Sequence, residues 1–155
     1  MSTDAIYNFI RVNERILTGG QPTAEQLRAA AEEGIQAVIN LATYNPEHSL
    51  ENEQGLVQSL GMAYYPIPVI WDQPKEADFE AFEAALDALG DQKVLIHCAA
   101  NYRVTAFYSL YALKNLGWSQ EQASQFRAAI WQGSDVPVWE RFIGILETRI
   151  TLDHS

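Results

Sequence analysis

Short apolar runs alternating with helical patterns constrain the fold of this chain more than any other feature. "RILTGGQPT" opens with a brief apolar piece and breaks at a Gly-Gly-Gln-Pro turn. "IQAVINLA" is compact and β-branched, the mark of a buried strand. "MAYYPIPVI" is a third such run, whose Pro66 and Pro68 place it at a strand end or a sheet edge, because proline cannot donate to a ladder. "KVLIH" is the fourth. Helical segments fill the gaps: "AEQLRAAAEE" up to Gly34, a loop and helix over "NPEHSLENEQGLVQSLG" ending at Gly61, and "KEADFEAFEAALDALG" ending at Gly90. In the last of these, Phe79, Phe82, Ala85, Leu86 and Leu89 share one face. Strands joined through helices form parallel βαβ units. The chain is therefore expected to be α/β, a single-domain three-layer sandwich over residues 1–155. Its central, mainly parallel sheet has four to five strands, with helices on both faces.

Local signals sharpen the boundaries. Thr23 with Gln26, and Ser119 with Gln122, have capping-box spacing. "TAFYSLYALKNLG" is apolar almost all round, which predicts a central buried helix. Pro137 suits the first turn of a last helix over "VWERFIGILETRI". Trp118, Trp131 and Trp139 are expected on helices near the C terminus, as core or interface.

Composition excludes several function classes. The 155 residues are 48% hydrophobic and 19% charged, which suits a globular chain. A formal net charge of -10 argues against nucleic acid and anionic membrane surfaces as partners. It also means that an anionic ligand must be drawn in by a local site. No run approaches the ~20 apolar residues of a membrane span. The opening residues lack the pattern of a secretory signal, and the single cysteine excludes an internal disulfide. The cytoplasm is the expected compartment. His48 and His154 lack partners at ligand spacing, so no metal and no cofactor is expected.

Ligand sites of open parallel sheets lie beyond the carboxyl ends of the strands, and Cys98 stands at such an end in "VLIHCAANYRVTAF". Free amides at a helix start, with the helix dipole, cradle anions and favour a thiolate. Arg103 can hold an anion through two parallel hydrogen bonds. Thr105 has a hydroxyl to offer the sulfur, and His97 can bond the loop and hold it open. Each of these residues also has an ordinary structural use: a buried thiol, a satisfied strand-end histidine, a helix cap.

"IHCAANYRVTAF" resembles the signature loop of the cysteine-dependent protein tyrosine and dual-specificity phosphatases. More narrowly, "LTGGQPTAEQLRAAAEEGIQAVINLA" and "GMAYYPIPV" are similar to a bacterial tyrosine-phosphatase-like family, with the likeness running over roughly residues 15–117. The resemblance implies a phosphatase-like domain and a phosphocysteine mechanism. Cys98 is then the nucleophile, and the amides of Ala99, Ala100, Asn101, Tyr102 and Arg103 hold the phosphoryl oxygens. Arg103 stabilises their charge, and Thr105 eases departure of the thiolate. Asp72, in "PVIWDQPKE", stands where the family keeps its general acid. Its alternative use is as a cap for the next helix, and Asp78 is the weaker candidate because it falls inside that helix. The implied partners are a phosphorylated substrate, small phosphoester or phosphoprotein, and phosphate or sulfate in the loop.

The spacing departs from that pattern. Four residues, not five, separate Cys98 from Arg103, and Val104 occupies the position where the family has its arginine. Either the loop is one residue tighter or the arginine is displaced; one helical residue is a turn of about 100°. Asn101 replaces the usual mid-loop glycine and tolerates a left-handed backbone. The expectation is weak phosphatase activity or unusual specificity. Two alternatives remain open: a phosphate-binding pseudophosphatase, and a rhodanese-like sulfurtransferase, whose active loop is also shorter. Asn40, Thr43, Tyr44 and Glu47 are expected on the same rim, and Tyr102 at the entrance.

Overall fold

The computed structural model describes residues 2–132 and 134–154. A five-stranded sheet runs in the order β1-β2-β5-β3-β4. Its strands are β1 (Ile10–Arg11), β2 (Ile16–Gly19), β3 (Ala37–Asn40), β4 (Ala63–Pro66) and β5 (Val94–His97). The four strands expected from sequence are the parallel ones, and β1 pairs antiparallel to β2 at the edge. Two residues are too few to show alternation, so β1 has no period to read. Pro66 ends β4, itself an edge strand, which accounts for both prolines.

Alternation along the strands sorts side chains into two cores. Ile16, Ala37, Ile39, Val94 and Ile96 point to one face, and meet α3 (Glu76–Leu89), α4 (Tyr102–Asn115) and α6 (Pro137–Asp153). Leu17, Val38 and Leu95 point to the other and meet α1 (Ala24–Glu32) and α2 (Glu53–Ser59). Such a sheet, covered on both sides, has strands apolar throughout, and β2 and β5 are buried along their whole length. All five face residues expected for α3 are buried. In α4 the burial runs unbroken from Arg103 to Leu110, as an all-round apolar helix requires.

Both expected capping boxes form, Thr23 with Gln26 at α1 and Ser119 with Gln122 at α5 (Gln120–Trp131). Pro137 is the first residue of α6. Trp118 lies in the turn between α4 and α5 rather than on a helix, and packs on Tyr108 and Phe126. No helix among the described residues is long and apolar enough to cross a membrane.

Register aligns the carboxyl ends of the parallel strands. His97 stands opposite both Gly19 and Asn40, and Asn40 opposite Pro66. The segments 20–23, 41–52, 67–75 and 98–101 therefore leave the sheet along one rim.

Candidate active site

At this rim β5 runs into α4 through four residues, Cys98, Ala99, Ala100 and Asn101. Asn101 is left-handed, with φ of 70° and ψ of 8°, a conformation that asparagine adopts more readily than other non-glycine residues. Its side chain ties the turn down: Nδ2 donates to the Asn8 carbonyl at 2.8 Å and to Thr18 Oγ1 at 3.1 Å. Asn8, also left-handed, donates back to the Ala100 carbonyl at 3.0 Å. The Ala99 carbonyl accepts from the Gln21 amide at 2.9 Å. With the Ala99 carbonyl held by Gln21 and the Ala100 carbonyl by Asn8, the amides of Ala99, Ala100, Tyr102, Arg103 and Val104 have no acceptor among the described residues. The last three are helix-start donors that nothing intrahelical can satisfy.

Gly20 permits the closeness of β2 to the loop. A Cβ there would stand 2.6 Å from the Ala99 carbonyl oxygen and 3.1 Å from Ala100 Cα.

The Cys98 side chain is 1% exposed, at the base of the loop and at the edge of the larger core. Arg103 is buried and lines a cavity of about 270 Å³ together with Ala99, Ala100, Tyr102 and Trp71. Val104, one position on, is fully buried in the core, so residue 103 and not 104 faces this cavity. Arg103 Nη1 donates to the Val69 carbonyl at 2.9 Å, and the guanidinium carbon lies 5.8 Å from the centre of the Trp71 ring. Nε and Nη2 have no hydrogen-bond acceptor among the described residues.

The segment carrying Trp71 is clamped by aromatic rings from three helices. Trp71 stacks on Trp131 at 5.9 Å and lies 5.6 Å from Trp139 and 6.1 Å from Tyr102. Trp139 Nε1 donates to the Trp71 carbonyl at 2.7 Å. Trp131 and Trp139, expected as core or interface, thus also hold the wall of the cavity. Asp72 is exposed in the turn beyond Trp71 and does not line the cavity. It does not cap α3 either: Asp78 accepts the Lys75 amide there at 3.2 Å.

Thr105 departs from its expected orientation toward the sulfur. Its hydroxyl bonds the carbonyls of Asn101 at 2.8 Å and Tyr102 at 3.1 Å, and receives Trp131 Nε1 at 3.1 Å. A hydroxyl in a first helical turn is drawn to the nearest carbonyl one turn back. His97 does bond the loop, through Nδ1 and the Cys98 carbonyl at 3.2 Å. Its Nε2 meets Glu53 Oε2 at 2.6 Å. Glu53 carried no local signal in the sequence, since only the fold brings α2 against the end of β5.

Ala99 and Ala100 also line a second cavity of about 480 Å³ with Tyr7, Gln21, Pro22, Thr23, Glu47, His48 and Leu50. Asn40, Thr43 and Tyr44 line a third beside it, so all four rim residues expected from sequence border a hollow. A larger hollow of about 720 Å³ runs along α6 past Arg141, Ile145 and Arg149 and shares no residue with the loop. Among the described residues no cluster of acidic, histidine or cysteine side chains could hold a metal ion.

No protein-family model matches the chain. Among curated proteins it is similar to the "Beta-lactamase hydrolase-like protein" of Xylella fastidiosa, 33% identical over 104 residues. That match takes in 65% of this chain and only 24% of the relative, so the chain spans about a quarter of the curated relatives' length. A crystal structure of the protein tyrosine phosphatase-type protein TpbA from P. aeruginosa, in complex with pTyr, matches at 14% identity and a TM-score of 0.73 over 97% of this chain and 93% of that one. This likeness shows the fold alone. A phosphatase-like DUF442 protein of Shewanella putrefaciens CN-32 is 32% identical, with a TM-score of 0.87 over 94% of this chain and 92% of that one. On that similarity the chain belongs to the DUF442 family, a bacterial family of protein tyrosine phosphatase-like proteins.

Proposed function

We propose that the protein hydrolyses phosphomonoesters through a phosphocysteine intermediate on Cys98. The observation that carries this reading is the set of unpaired amides at residues 99–100 and 102–104 beside a cavity that Arg103 enters. Outward-facing amides at a helix start, joined by a guanidinium, match a tetrahedral oxyanion in charge and shape.

The Cys98 thiolate attacks phosphorus, and the P–O bond to the alcohol breaks. The leaving oxygen takes a proton from Asp72. Water then attacks the phosphocysteine, giving a proton to Asp72, and the S–P bond breaks to return thiolate and inorganic phosphate. Amides and Arg103 hold the equatorial oxygens in both steps, where charge is spread in the transition state. With Nη1 bound to Val69, the Nε–Nη2 edge still offers two parallel donors. Asp72 takes this role on the family resemblance alone, and hydrogen-bond geometry leaves it free of a cap to α3, where Asp78 accepts the Lys75 amide.

Slow turnover is part of this reading, because Asp72 stands outside the cavity and one arginine nitrogen is already committed. The position of Asp72 favours a second reading, phosphate binding without turnover. The spacing Cys-x4-Arg keeps sulfur transfer as a third.

Incubation with an aryl phosphate tests the first. Wild type is expected to release phosphate slowly, Cys98→Ser not at all, and Arg103→Lys about 100- to 1,000-fold less than wild type. Equal release by wild type and Cys98→Ser contradicts the mechanism. Stabilisation by phosphate without release supports the second reading, and thiocyanate from thiosulfate plus cyanide supports the third.

A further inference from the structure

Ala99 and Ala100 border two cavities, the one of about 270 Å³ that Arg103 lines and the one of about 480 Å³. The reaction just described uses only the first. A group held on the loop amides has the larger cavity beside it, and that cavity is of a size that suits a small molecule. Its floor is fixed, since the Ala99 carbonyl accepts the Gln21 amide at 2.9 Å and the Ala100 carbonyl accepts Asn8 Nδ2 at 3.0 Å. One wall is the segment 45–50, which is tied to itself. Asn45 Oδ1 accepts the Glu47 amide at 2.9 Å, and the Asn45 carbonyl accepts the amides of His48 at 3.0 Å and Ser49 at 2.7 Å. Another wall is Tyr7, whose carbonyl accepts the Gly20 amide at 2.7 Å while its side chain stays exposed.

Charge divides between the two cavities. Arg103 and the unpaired amides make one positive. The lining of the larger one holds no lysine and no arginine. It holds Glu47, whose carboxylate has no hydrogen-bond or ion-pair partner among the described residues. The neighbouring hollow, with Tyr44, Glu51 and Glu53, also lacks a lysine or arginine. His48 is the one lining side chain able to turn cationic, and an imidazole does so on the acid side of neutrality. A second phosphate or a carboxylate on the substrate would therefore be repelled here. A carboxylate with an aromatic ring is instead the pairing that receives an organic ammonium.

We propose that the larger cavity is the subsite for the organic part of the substrate, and that it selects a cationic one. The substrate class is the phosphomonoester of an amino alcohol, its phosphoryl group on the loop and its ammonium against Glu47 and Tyr7. This rests on the reading that the loop binds a phosphoryl group. A zwitterion also escapes most of the repulsion that a net charge of -10 exerts on a simple anion.

Phosphocholine and its uncharged isostere 3,3-dimethylbutyl phosphate differ in one atom, nitrogen against carbon, so their ratio reads the charge of the cavity. At about pH 8, where imidazoles are largely neutral, wild type is expected to favour phosphocholine about tenfold in kcat/KM. Glu47→Gln is expected to bring that ratio within about threefold, the remainder coming from the ring, and Glu47→Lys to reverse it. Glu47 is exposed, and near-ultraviolet circular dichroism confirms that the variants fold. Calorimetric titration of both esters into Cys98→Ser, with and without Glu47→Gln, reads the same ratio without turnover. Hydrolysis of both esters at equal kcat/KM, or with a preference that survives Glu47→Gln, overturns this inference alone. A binding ratio that Glu47→Gln abolishes, with no hydrolysis by wild type, overturns the phosphatase reading alone. Neither hydrolysis nor binding of either ester overturns both.

Discussion

Asn101 and Gly20 set the shape of the loop from opposite sides. The asparagine accepts a positive φ and spends its amide hydrogens on the Asn8 carbonyl and the Thr18 hydroxyl, while its Oδ1 is buried without a donor among the described residues. An unsatisfied buried acceptor costs about 1–3 kcal/mol, a loss usually kept only where geometry is under constraint. Gly20 has no room for a methyl group, because its nearest neighbour is the Ala99 carbonyl oxygen, a backbone atom of the loop that cannot swing aside. Gly20→Ala is therefore expected to destabilise the fold by about 1–3 kcal/mol and to lower activity further by lifting Ala99. Thermal melts alongside turnover check this; an unchanged melting temperature and rate contradict it. The Gly-Gly pair was legible as a turn. Its tight approach to residue 99 was not, since some eighty residues of chain separate the partners.

At the scale of elements, the strand–helix alternation and the caps identified four parallel strands and six helices of the right order. Periodicity suffices there because each strand and helix declares its own buried face. The site was less legible, for the same reason in reverse. Cys98 and Arg103 could be read from one short segment, whereas Glu53, Asn8 and the Trp131–Trp139 clamp act across elements and leave no local pattern. The clamp carries a prediction of its own. Trp71 lies between Arg103 and the rings of α4, α5 and α6, so Trp71→Ala frees both the guanidinium and the Asp72 turn. It is expected to cost about 1–2 kcal/mol of stability and to lower kcat/KM about tenfold. Denaturant unfolding and steady-state kinetics read the two effects, and an unaltered kcat/KM contradicts the assignment of the Trp71 segment to the site.

For the whole molecule, a net charge of -10 repels the anionic ligand proposed for the loop. On that proposal the attraction comes from the amides and Arg103, gathered where the parallel strands end. The chain's single cysteine makes the proposed intermediate directly measurable. Intact-mass analysis of protein quenched in denaturant during turnover of an aryl phosphate is expected to show one added phosphoryl group, absent in Cys98→Ser. Phosphate release with no phosphoryl adduct on Cys98, or an adduct of sulfur alone after thiosulfate, contradicts the account.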